Sequence, residues 1–153
     1  MDKADAKMIM GRNLGVMEDA GGLTYPIENL TNIEYLATPY THDSEDVMGF
    51  RAAVSDAVAA HLTKQGRIIF PPISCYHHIA KKYKLSTDYK YWQKLDEEFL
   101  KISKTLIIIT LDGWEESAGV TWERGIAAKY GIPEEFFDPA EQVREVLENI
   151  RYL

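Results

Sequence analysis

Two acidic residues stand out by their setting. Asp96 lies in a segment, about 88 to 103, whose Trp92, Leu95, Phe99 and Ile102 fall in one sector of a helix. Advancing about 100° per residue puts Asp96 about 40° from Trp92, inside or beside that apolar sector, while Gln93, Lys94, Glu97, Glu98 and Lys101 face the other way. Burying an unpaired charge is costly or shifts its pKa, so Asp96 either has a structural partner or lines a cavity. Glu123 follows the small-residue turn Ser117-Ala118-Gly119, near the start of a helix. A glutamate there offsets the helix dipole or presents its carboxylate to a ligand. Two converging carboxyl groups suit cleavage at an anomeric carbon, where an oxocarbenium-like transition state needs a negative group, with a second carboxyl handling a proton. A glutamate of ordinary pKa, about 4.3, is ionised near neutrality as a nucleophile must be. The helix dipole favours that form and burial opposes it.

The elements that must position these groups are readable from hydrophobic patterning. Leu106-Ile107-Ile108-Ile109-Thr110-Leu111 is a short, β-branched run of the kind that forms a fully buried strand, and it hands over to the helix bearing Glu123. Ile33 to Thr38 is a first strand stopped by Pro39, and Tyr40 to Ser44 is a polar loop in which Ser44 or Asp43 caps the next helix. That helix, about 45 to 64, carries Val47, Phe50, Val54, Ala57, Val58 and Leu62 on one face and ends at Gly66. Arg51 projects from the edge of this face, either snorkelling to solvent or reaching back toward the site. Arg67 to Phe70, closed by Pro71-Pro72, is a second strand, and the strand-helix-strand order predicts a parallel crossover. A short helix follows over Tyr76 to Tyr83, and the Glu123 helix runs from about Gly119 to Tyr130. Ile132 to Phe137 reads as a short edge strand or an irregular segment, and Asp138-Pro139-Ala140-Glu141 starts a last helix. In such α/β sheets ligands bind beyond the carboxyl ends of the strands. Ser117 and Gly119 at a helix N-terminus suit a phosphate or another anionic oxygen, or serve only as a cap. Glu115 and Glu116 disfavour a phosphate there unless Arg51 or another cation compensates.

A length of 153 residues with 46% hydrophobic and 27% charged residues predicts one globular domain, 31–153, preceded by a weakly structured or partner-contacting extension, 1–30. With no long apolar run and no signal-like N-terminus, the expected location is the cytoplasm, with no membrane partner. The single Cys75 excludes an intrachain disulfide, and a metal site is not expected, because the adjacent His77 and His78 point in different directions on a helix and His42 and His61 lie far away. A net charge of −7 argues against a nucleic-acid polymer as partner.

The run Ser117-x-Gly119-Val120-x-x-Glu123-x-Gly125-x-Ala127 resembles the signature of the nucleoside 2-deoxyribosyltransferase superfamily, which includes deoxynucleoside 5′-monophosphate N-glycosidases. Tyr35-Leu36-Ala37-Thr38-Pro39-Tyr40 is similar to its first-strand motif, and Asp96 with Phe99-Leu100 to its Asp-bearing helix. With Trp92, Gly113-Trp114 and Ser117, the chain is most similar to a bacterial and phage branch. The resemblance covers about Ile33 to Pro133. It implies a Rossmann-like α/β three-layer sandwich with a roughly five-stranded, mainly parallel sheet. It also implies that Glu123 is the nucleophile and that Asp96 assists. Thr38, Pro39 and Tyr40 would flank the nucleoside, Asp112 would contact sugar or base, and Ser117 with Gly119 would hold a 5′-hydroxyl or 5′-phosphate. Arg51, Trp92 and Trp114 complete the expected substrate-binding set. The expected activity is cleavage of the base–sugar bond of a (deoxy)nucleoside or its 5′-monophosphate by a homo-oligomer without cofactor. The alternative is a nucleotide-binding or regulatory module on the same fold that does not turn over.

Overall fold

The computed structural model of the chain describes residues 31–150, so the expectation of an N-terminal extension over 1–30 lies outside the described residues. Four strands, β1 (Ile33–Ala37), β2 (Ile68–Phe70), β3 (Thr105–Ile109) and β4 (Glu134–Phe137), form one parallel sheet in the order β2-β1-β3-β4. Helix α1 (Glu45–Lys64) connects β1 to β2. Helices α2 (Pro72–Tyr83) and α3 (Tyr89–Lys101) connect β2 to β3, α4 (Ala118–Tyr130) connects β3 to β4, and α5 (Ala140–Ile150) follows β4. This is the expected Rossmann-like three-layer arrangement. The sheet has four strands among the described residues, where the resemblance implied about five; α5 starts soon after β4, leaving no described segment to pair beyond that edge.

Parallel strands connected by right-handed crossovers place their helices on one face when the sheet grows one way and on the other when it grows back. The chain does both, stepping from β1 to β2 and then returning past β1 to β3 and β4. The core is accordingly split in two. Leu36, Ile107 and Ile109 pack with Val54, Val58 and Leu62 of α1 and Val146 of α5. On the other face Tyr35, Ala37, Leu106 and Ile108 pack with Leu100 of α3 and Val120 and Ala127 of α4. Both faces of β1 and β3 are covered, which is why their sequences are apolar almost throughout.

Two local boundaries differ from their sequence expectation. The helix expected over Tyr76 to Tyr83 starts at Pro72, because proline at the first helical position lacks only an N–H that would have no partner there. Ile132 to Phe137 resolves into an edge strand over Glu134–Phe137. Its acidic residues are tolerated because Glu134 pairs with Arg124 at 2.9 Å and Glu135 with Arg67 at 2.7 Å. No helix among the described residues is long and apolar enough to cross a membrane.

Arg67 ties the strands together on the α1/α5 face. Its guanidinium donates to both oxygens of Glu34 on β1, at 2.8 and 2.9 Å, and to both oxygens of Glu135 on β4, at 2.9 and 2.7 Å. Glu34 is only 4% exposed, and the hydrogen bonds from Arg67 hold its carboxyl below the ordinary glutamate range. A depressed carboxylate pKa contributes stability above the unfolded value and loses it as pH falls through the folded one. Glu34→Gln is expected to lower unfolding stability at pH 7 by about 2 kcal/mol, the scale of a charge-assisted hydrogen-bond pair. Denaturant titrations should show that difference vanishing once the pH falls below Glu34's depressed pKa.

Candidate active site

The loops after β1 and β3 lead away from each other, one toward β2 and the other toward β4, and this divergence opens a crevice at the carboxyl ends of the strands. The crevice is a cavity of about 420 Å³, within the range of small-ligand sites. Thr38, Tyr40 and Thr41 line it from the β1 loop, and Pro72, Ile73, Tyr76 and His77 from α2. Helix α3 supplies Trp92 and Asp96. The N-terminal turns of α4 supply Ser117, Gly119, Trp122 and Glu123.

Glu123 reaches the cavity because it shares the inward stripe of α4 with Val120 and Ala127, three residues before it and four after. It is 8% exposed, and its Oε1 accepts a 2.7 Å hydrogen bond from the hydroxyl of Tyr35, a fully buried residue of β1. Burial raises the Glu123 pKa well above the ordinary glutamate value, the negative charge of Asp96 raises it further, and the Tyr35 hydroxyl partly opposes both. Asp96 lies one turn beyond Trp92 and one turn before the buried Leu100 on the inner face of α3. Burial pushes its pKa to about 6, again against the Tyr35 hydroxyl, which favours the charged form. The two carboxyl groups thus act on one hydroxyl from adjacent helices, and the site holds fewer negative charges at neutral pH than its residue types suggest.

The surrounding walls are aromatic. Tyr76 and Trp92 lie 5.2 Å apart, and Trp92 is fixed by its indole N–H donating to the Ser86 carbonyl at 2.8 Å. The Tyr40 hydroxyl and His77 Nδ1 are hydrogen-bonded at 2.7 Å with their rings edge to face. Burial, with Lys81 nearby, holds His77 below the usual histidine pKa, so it is neutral at pH 7. Thr38 is 5% exposed, and its Oγ1 is the one buried side-chain polar atom among the described residues with no hydrogen-bond partner. Ser117 Oγ caps α4 by accepting from the Val120 N–H at 3.3 Å. A Cβ on Gly119 would stand 3.5 Å from Tyr89 Cβ, so the first turn of α4 closely abuts the start of α3.

Of the residues expected at the site, Glu123, Asp96, Thr38, Tyr40, Trp92, Ser117 and Gly119 come together around this cavity, and four others do not line it. Pro39 is fully buried in the core. Asp112 is exposed, and only its backbone carbonyl is engaged, as acceptor from Arg51 Nη2 at 3.3 Å. Trp114 packs against the α3/α4 cluster and lies 5.5 Å from Phe136 because the turn after β3 leans it onto the edge strand. Arg51 reaches back as one sequence alternative had it, but to backbone: its Nη1 donates to the carbonyls of Tyr40 at 3.4 Å and Thr41 at 3.2 Å. It therefore clamps the β1 loop to the β3 loop.

Sequence reasoning missed Tyr35, Tyr76, His77 and Trp122. A hydroxyl in the middle of a strand buried on both faces was the available signal for Tyr35, since such a group needs a partner. Helix α2 had no comparable signal, because its proline start hid the turn that brings Tyr76 and His77 inward. Among the described residues no group of three or more His, Cys, Asp or Glu is placed to hold a metal ion.

A raised carboxyl pKa carries a stability penalty whose sign is fixed by linkage. Asp96 in the folded chain titrates near 6 against an ordinary value of 3.8, so its contribution is fully present below about pH 4 and is lost as pH rises through 6. Asp96→Asn should therefore match the parent chain in stability near pH 4 and exceed it at pH 8 by about 3 kcal/mol, on the scale of 1.36 kcal/mol per pKa unit. Unfolding titrations at the two pH values check this.

No curated protein matches the chain. A family model described as a domain of unknown function (DUF1937) matches residues 32–137, which runs from the start of β1 to the last residue of β4 and contains every residue lining the cavity. That match spans more than half of the chain, which therefore belongs to the DUF1937 family.

Proposed function

We propose that the chain cleaves the base–sugar bond of a (deoxy)nucleoside or its 5′-monophosphate, as an N-glycosidase or N-deoxyribosyltransferase. The observation that carries this reading is that Glu123 and Asp96, from two different helices, share the wall of one cavity and the field of one hydroxyl. The order and spacing of the Tyr35–Tyr40, Asp96–Leu100 and Ser117–Ala127 motifs, which resemble the nucleoside 2-deoxyribosyltransferase superfamily, support it. Aromatic walls at Tyr76, Trp92 and Trp122 suit a planar base.

In this mechanism the Glu123 carboxylate attacks the anomeric carbon as the base leaves, and Asp96 supplies the base with a proton. Water, or a second base, then takes the sugar from the glycosyl ester. The Tyr35 hydrogen bond stabilises the carboxylate form that attack requires and holds its oxygen in place. Asp96, with a pKa near 6, is poised to exchange a proton close to neutrality.

The elevated pKa of Glu123 favours a second reading, a module that binds nucleosides without turnover, because a protonated glutamate is not a nucleophile. Release of free base from a panel of nucleosides and 5′-monophosphates separates the two. Turnover abolished by Glu123→Gln, by about 10³-fold or more, is the expected outcome for a lost nucleophile. No release from any substrate, or full release by the variant, rejects the enzymatic reading. The pH dependence adds a second check. Removing the Asp96 charge removes a cause of Glu123's elevated pKa, so in Asp96→Asn the acidic limb of kcat/KM should move to lower pH.

A further inference from the structure

We propose that the substrate this cavity selects is an N-glycoside whose base carries a positive charge, such as an N-alkylated purine or a pyridinium nucleoside. This rests on the cleavage reading above and narrows it.

Four carboxyl groups line the cavity. Glu123 and Asp96 lie at its inner wall, and Asp88 and Glu116 are exposed residues at its edge. No lysine or arginine lines it among the described residues, and the nearest guanidinium in the loops, that of Arg51, is spent on three backbone carbonyls. The partial positive charge at the start of α4, about half an elementary charge, is outweighed by this set even though burial disfavours the charged forms of Glu123 and Asp96. Tyr76, Trp92 and Trp122 line the cavity, and the face of an aromatic ring carries the negative side of its quadrupole, which attracts a cation most strongly where water is displaced. Thr38 supplies independent evidence that a ligand belongs here: it is 5% exposed, lines the cavity, and its hydroxyl has no partner within the described protein.

The chemistry of such a substrate also fits the groups present. When the C–N bond of a cationic base breaks, its electron pair passes to the ring nitrogen and cancels the charge, so the base departs neutral and needs no proton. Glu123 forms the C–O bond to the anomeric carbon. Water then attacks that carbon, the ester C–O bond breaks to restore the Glu123 carboxylate, and the proton that the water gives up leaves through Asp96 to solvent. A cation in the cavity moreover favours ionisation of both carboxyl groups, which turns Glu123 into the nucleophile only when the substrate has arrived.

Matched pairs differing in charge test this on the full chain. Nicotinamide riboside is compared with its uncharged dihydro form, and 1-methyladenosine with adenosine at pH 7, by calorimetry at low temperature on the parent chain and on Glu123→Gln. The cationic member of at least one pair should bind about tenfold more tightly, the preference should shrink as salt is raised, and Glu116→Gln should reduce it. Cations that bind no more tightly than their neutral partners in both pairs, including the case in which neither binds, overturn the inference. Base release separates it from the reading on which it rests. Cleavage of neutral nucleosides or 5′-monophosphates without a cation preference defeats this inference and leaves the N-glycosidase reading standing. Preferential binding of cations with no base released from any substrate defeats the enzymatic reading, and with it the claim that the cation is a substrate, and leaves only the cavity's preference for cations standing.

Discussion

A single hydrogen bond, 2.7 Å from the Tyr35 hydroxyl to Glu123, reconciles a buried carboxyl group with an otherwise apolar core. Without it Glu123 would be an unpaired acid inside the α3/α4 layer, at a cost of several kcal/mol. With it, the central strand and α4 are joined at the point where the cavity begins. The bond links the two halves of the site that come from distant parts of the sequence, and Asp96 on α3 faces the same hydroxyl. The geometry of the cavity wall therefore depends on a strand residue that points into the core and not into the ligand space.

The electrostatic state of the site sets stability against chemistry. Asp96 and Glu123 both have their charged forms disfavoured by burial, so ionising them weakens the fold even as it creates the forms that the proposed chemistry requires. The opposite end of the sheet shows the stabilising arrangement of the same residue type, where Glu34 and Glu135 share one arginine. Glu34 on the one hand and Asp96 and Glu123 on the other thus play two roles, separated by whether a guanidinium is within reach.

Much of this was legible in the sequence, and the reasons differ by residue. The apolar runs at β1 and β3 identified the central strands because burial on both faces leaves no polar alternation. Asp96 stood out because a helical wheel converts position into direction, and Glu123 because a small-residue turn preceded it. Periodicity reports which way a side chain points and not what it meets. Arg51 was thus visible as a cation at the edge of a face, but not as a ligand of three carbonyls. Trp114 and Asp112 follow the strand that leads to the site, and only the turn between them and α4 decides that one leans onto β4 and the other faces solvent. Tyr76 and His77 depended on where α2 begins, a boundary that proline obscures because it both ends strands and starts helices.

The Arg51 clamp has a mechanical consequence. Its guanidinium bonds the backbone after β1 and the backbone after β3, and Gly113 leaves it room, since a Cβ there would lie 2.7 Å from Nη2. The two loops that diverge at the switch point are consequently harnessed to one another. Any displacement of one loop would have to carry the other with it or break the harness, so a single side chain couples the position of the backbone after β1 to that of the backbone after β3, over a span set by the length of an arginine.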